Sequence, residues 1–152
     1  MFQRLTIPVT PFEQNCSLVW CDETHEAALI DPGGDLGKLL EAVEERGLTL
    51  KALWLTHAHI DHAGGTGTLA RELDLPIIGP HPGDQFWIDG LPQQSAMFGF
   101  PPAGPFTPTR WLADGDTVQI GHCTLNVRHC PGHTPGHVVF QSPEAQRAFV
   151  GE

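Results

Sequence analysis

The run KALWLT, residues 51–56, is apolar at four successive positions, and the chain continues directly as HAHIDHAGG. A strand without polar alternation has to be covered on both faces, so this run predicts a sheet held between other layers. Around it, LTIPV, NCSLVWC and EAALIDP read as short strands separated by turn residues, with Pro32-Gly33-Gly34 closing the third. That pattern predicts an antiparallel opening. DLGKLLEAVEERG has Asp35 as a cap, leucines and Val43 at helical spacing, and Gly47 as a stop. TGTLARELD reads as a second helix and PIIGP as the strand after it. Strand, helix, strand, helix, strand predicts a layered α/β fold with a helix-flanked sheet.

The chain has 152 residues, which predicts one domain over residues 1–152. A chain of that length buries about two thirds of its unfolded surface. Its 18 acidic against 8 basic residues leave a formal charge of −10, with no Lys/Arg run, which argues against nucleic acid and anionic membrane as partners. No window approaches the roughly 18 to 20 apolar residues of a membrane span. Cys16, Cys21, Cys123 and Cys130 form no CxxC pair, and the opening MFQRLTIPVTPFEQ lacks the regions of a secretory signal. A reduced, cytoplasmic protein with small buried cysteines on strands is the simplest expectation.

Residues 79–110 show little periodicity and many prolines, which predicts a long loop. Its Phe86, Trp87, Met97, Phe98 and Phe100 argue against disorder, and a cover over a pocket is preferred to packing or self-association. Beyond it, DGDTVQIG and CTLNVRHC predict a hairpin, PGHTPG a loop, and HVVFQS and RAFVG two more strands.

The six positions from His57 to His62 hold three imidazoles and a carboxylate. In an extended chain, residues two apart project to the same side about 7 Å apart, so His57 and His59 converge on one cation. The turn that follows brings Asp61 and His62 to the same cleft as ligands of a second ion. Strand ends are where rigid scaffolds present such groups. The segment HCPGHTPGH offers further nitrogens; Pro131 and Pro135 exclude a regular helix, and loop-borne His133 is the best third ligand. His129 and His137 are expected to support ligands by hydrogen bonding. His25, His81 and His122 are read as ordinary surface residues. Asp31 either orients a ligand or caps its turn.

THAHIDHAGG together with HCPGHTPGH resembles the metallo-β-lactamase superfamily, in particular its hydroxyacylglutathione hydrolase (glyoxalase II) branch. The opening IPVTPFEQNCSLVW, the IDPGGD turn and the FWIDGLP loop are similar to the short bacterial form without the helical C-terminal domain. The resemblance implies a four-layer αβ/βα sandwich. It implies His57, His59 and His133 on a first metal, Asp61 and His62 on a second, and a shared carboxylate at the end of the strand AFVG. Here that position reads Gly151-Glu152 where the family has Gly-Asp, which makes Glu152 the candidate bridge. A domain seldom ends on an uncovered apolar strand, and the family pattern implies about 60 further residues.

The resemblance also implies a thioester hydrolase acting on S-lactoylglutathione or a related small-molecule glutathione conjugate. A metal-activated hydroxide would be the nucleophile, and Asp61 would orient it. The expected cofactors are two divalent ions, zinc first, with iron or manganese as alternatives. Two other readings stay open. One is a mononuclear iron persulfide dioxygenase using His57, His133 and the terminal carboxylate. The other is a non-catalytic metal-binding half-domain or assembly module pairing through its last strand, with the oligomeric state left open.

Overall fold

The structure is a computed structural model that describes residues 2–9, 14–99, 104, 106–131, 134–142 and 147–149; for Phe2, Gln14, Asp61 and Arg147–Phe149 only the backbone is described. Its first sheet runs in the order β1 (Phe2–Val9), β2 (Gln14–Cys21), β3 (Glu26–Ile30), β4 (Thr49–Trp54) and β5 (Ile77–Ile78). The first three strands are antiparallel, as expected for short strands joined by tight turns. From β3 to β5 the pairing is parallel. Parallel neighbours need crossovers, supplied by helix α1 (Leu36–Glu45) and by α2 (Ile60–Ala63) with α3 (Thr66–Leu73).

β4 fulfils the expectation of two covered faces. Leu53 packs with Leu39, Val43 and Leu69 on the helical side. Ala52 and Trp54 face a second sheet, and Trp54 stacks on Phe140 with ring centroids 5.4 Å apart. That second sheet is antiparallel, in the order β6 (Thr117–Ile120), β7 (Cys123–His129), β8 (Val138–Ser142) and β9 (Arg147–Phe149). Cys123, Leu125 and Val127 of β7 point into the core, whereas Thr124, Asn126 and Arg128 are exposed on the other face. Among the described residues the layers are therefore helices, sheet and sheet.

Three expectations need correction. The stretch 79–110 is not a plain loop: a 3₁₀ turn, Pro82–Asp84, leads into α4 (Gln85–Asp89) and α5 (Leu91–Phe98). Pro82 and Pro92 lie in first turns, where a missing N–H costs nothing, so these prolines start helices instead of breaking them. Helices this short carry no readable period and are held by tertiary contacts, as the burial of Ile88 and Leu91 against Leu55 and Ile60 shows. Secondly, the Asp35 side chain makes no capping hydrogen bond; its backbone is left-handed (φ 51°), and its carbonyl accepts from Lys38 and Leu39. Gly47, with φ 62°, does end the helix as expected. Thirdly, Cys16, Cys21 and Cys123 are buried on strands, but Cys130 is exposed because β7 has already ended at His129. No helix of the described residues is long and apolar enough to cross a membrane.

Candidate metal centre

Because β3, β4 and β5 are parallel, all three deliver their carboxyl ends to one edge of the sheet. Asp31 follows β3, residues 55–62 follow β4, and residues 79–84 follow β5. Polar groups from distant parts of the chain therefore meet where sheet ends leave unpaired backbone. One glycine pair, Gly64-Gly65, allows the close approach. A Cβ on Gly65 would lie 2.8 Å from the Pro32 carbonyl oxygen, and one on Gly64 would lie 2.8 Å from that of Gly33. Instead Gly65 donates its N–H to Pro32 at 3.1 Å, which docks HAGG onto the IDPGGD turn and brings Asp31 beneath the histidines.

Asp31 is buried and accepts three hydrogen bonds: from Thr56 N at 2.8 Å, Thr56 Oγ1 at 2.6 Å and His62 Nδ1 at 3.0 Å. These assign protons. The Thr56 hydroxyl has one hydrogen and gives it to Asp31, so at the 3.0 Å contact with His57 Nδ1 the ring is the donor. A carboxylate can only accept, so His62 Nδ1 also carries its proton. In the neutral form of each ring, Nε2 would then carry the lone pair, with one carboxylate contacting the two rings directly or through a hydroxyl. Asp31 thus contacts His62 directly and His57 through the Thr56 hydroxyl.

The ring of His57 lies 4.2 Å from that of His62, 5.1 Å from His59 and 5.0 Å from His137, centroid to centroid. One ligand atom from each of Asp31, His57 and His62 falls within 4.8 Å of the others. These three side chains could therefore hold an ion, with Asp31 also accepting from Thr56 and His62. His59, at the amino end of α2, is half-buried and meets the ring of Trp87 edge-on at 4.7 Å. His137 is buried within this group. Asp61 belongs to α2, but its side chain, like the whole of His133 and Glu152, lies outside the described residues. Imidazoles beside a buried carboxylate fit a borderline divalent cation such as zinc, iron or manganese.

Sequence reasoning missed Thr56, Asp84 and Gln94, whereas Trp87 was named as part of a cover and does meet His59. Gln94 accepts from Ile60 N at 2.9 Å and donates to the Trp87 carbonyl at 3.0 Å, tying α5 and α4 to the ligand turn. Nothing local in the sequence marks it. His81 is not an isolated surface residue: it stacks on His129 at 3.8 Å and accepts from Gly83 N. His129 bonds the Pro135 carbonyl through Nε2 and contacts no ligand candidate among the described residues. His25 and His122 show no link to the cluster. Burial, and then the Asp31 charge, push the Cys16 thiol up, so it is no nucleophile.

Two stacked sheets with a helical face and a histidine cluster at the parallel strand ends fit a metal-binding enzyme. The chain belongs to the metallo-β-lactamase superfamily, whose sequence profile matches residues 9–152. It is 43% identical over 147 residues to hydroxyacylglutathione hydrolase GloC of Haemophilus influenzae, covering 96% of this chain and 69% of that protein. It is 31% identical over 149 residues to the probable metallo-hydrolase YqgX of Bacillus subtilis, covering 96% and 68%. Among solved structures, TTHA1623 in a di-iron-bound form superposes with a TM-score of 0.84 at 36% identity, covering 96% of this chain and 70% of that one. BLEG-1, a B3 metallo-beta-lactamase, superposes with a TM-score of 0.83 at 30% identity, covering 99% and 71%.

Proposed function

We propose that this hydrolase cleaves the thioester of S-lactoylglutathione or a related hydroxyacyl thioester. The observation that carries the reading is the convergence of His57, His59 and His62 at one strand exit, with Asp31 fixing two of the rings. In this reading His57, His59 and His133 hold one ion, Asp61 and His62 a second, and Glu152 lies between them. Two divalent ions in such a site, zinc being the first choice, would lower the pKa of a water between them toward 7 and polarise the acyl carbonyl.

The chain's own residues do the rest. Asp31 keeps His57 and His62 in the tautomer whose Nε2 faces the cation, and Asp61 orients the attacking water. His137 packs against His57 and keeps that side of the cluster closed to solvent. Trp87 walls the opposite side at His59, with Phe86 beside it, an apolar margin suited to the acyl part of a small thioester. A thiolate leaves with little need of a proton, so no strong general acid is required. The identity to a protein named hydroxyacylglutathione hydrolase supports a glutathione conjugate as substrate, and the di-iron form of TTHA1623 keeps iron in play. Three buried cysteines on strands suit a reducing cytoplasm, and residues 1–152 are taken as one domain.

The test is elemental analysis of purified protein together with an S-lactoylglutathione assay, comparing the parent with His59→Ala. Metal and turnover are both expected to fall at least tenfold in the variant. Full activity in His59→Ala overturns the site. Stoichiometric iron with oxygen uptake and no thioester cleavage replaces the hydrolase by a persulfide dioxygenase. Turnover by a metal-loaded monomer excludes an assembly module.

A further inference from the structure

Asp84 is wholly buried, yet it is not part of the histidine cluster. Its carboxylate joins two loops that are far apart in sequence. Oδ2 accepts from Ala58 N at 3.0 Å and from Thr134 Oγ1 at 2.8 Å, while Oδ1 accepts from Gly136 N at 2.7 Å. Ala58 lies between His57 and His59; Thr134 directly follows His133. Each donor is a neutral dipole, so the charge is satisfied by direction alone.

The backbones around Asp84 are in contact with the same second loop. His81 N donates to the Gly136 carbonyl at 3.1 Å. A Cβ on Gly136 would sit 2.5 Å from Asp84 N and 2.5 Å from His81 O, and one on Gly83 would sit 3.0 Å from Pro135 O. Only glycines at these two positions let HPGD and TPG close on each other. Val138 N meanwhile donates to Thr56 O at 2.8 Å, which pins the far end of the second loop to the exit of β4.

We propose that Asp84 is a positioning residue, setting the spacing between the loop of His57 and His59 and the loop through residues 130–137. The inference rests on the reading that both loops contribute to one metal centre. A lone structural plug would need to satisfy only its own segment. Asp84 instead takes one donor from the first loop, between His57 and His59, and two from the second, just after His133. Asn in its place keeps the shape but turns one acceptor into a donor facing an N–H or a hydroxyl, so the loops have to part.

The full chain is titrated with zinc against a chromophoric chelator, loaded with cobalt(II) for its visible spectrum, and followed by amide exchange without metal, comparing the parent with Asp84→Asn. Zinc affinity is expected to fall roughly tenfold or more. The cobalt bands should change in position or intensity, and the Ala58 and Gly136 amides should lose protection. Zinc affinity within twofold of the parent, with an unchanged cobalt spectrum, overturns the proposal. Where Asp84→Asn does not fold, Thr134→Val removes one donor and leaves the carboxylate. A severalfold weaker affinity then supports the clamp, and parental affinity overturns it. A parent that binds neither ion defeats the metal-centre reading, and amide exchange in the apo protein alone then decides the clamp. Lost protection at Gly136 in the variant upholds it, and unchanged protection sinks it.

Discussion

The helical side of β4 and its carboxyl end are equally buried and differently made. Toward the helices, Leu53, Leu39, Val43 and Leu69 form an apolar cluster. At the carboxyl end of the same strand, Asp31, Thr56, His57, His62, Asp84 and Thr134 are buried just as deeply. The first region is held by area removed from water, which is tolerant of direction. The second is held by hydrogen bonds whose donors and acceptors have to match one by one, because an unmatched polar group there costs as much as several buried methylenes. The fold therefore separates its stability from its chemistry along one strand.

That separation can be broken by experiment. Leu39→Ala should cost about 2 to 5 kcal/mol in denaturant melts while the folded fraction keeps parental zinc affinity. A joint loss would mean that the two regions are one unit. Asp31→Asn should do the reverse, weakening zinc affinity roughly 10- to 100-fold in chelator competition with a smaller change in melting. Gln94→Ala should remove about 1 to 2 kcal/mol by leaving the Ile60 N–H without its acceptor. Faster exchange of the Ile60 amide is its specific signature, and an unchanged rate would refute the tie.

The smallest effect concerns pH. Burial, and next the neighbouring His129, hold His81 below its ordinary value of 6.5, with Asp84 opposing them. Over the window between the lowered and the ordinary value, the unfolded chain binds more protons than the folded one. Stability is therefore complete above the ordinary value and declines as pH falls through it. The melting temperature should drop slightly between about pH 7.5 and pH 5.5, and His81→Gln should flatten that drop. A variant with the parental slope would assign the effect to other groups.

How much was legible follows from how far the responsible contacts reach. β4, α1, α3 and the β6–β7 hairpin were readable because apolar runs, helical spacing and alternation act within a few residues. The 82–98 helices were not, since their stability comes from Leu55, Ala58 and Ile60 across the fold. In the site, His57, His59 and His62 declared themselves by mutual spacing. Asp31 was seen with two roles and no means of choosing. Its choice depends on Thr56 and His62, 25 and 31 residues away.

By itself the order of residues determined which side chains could bind a cation, which strand had to be covered on both faces, and the family to which the chain belongs. Those properties are local or compositional. Only the tertiary structure decided that Asp31 contacts His62 and, through Thr56, His57, and that Asp84 ties Ala58 to Thr134 and Gly136. Hydrogen bonds act over about 3 Å and are blind to separation along the chain. Their partners become definite only once the sheet has brought three strand ends to one edge.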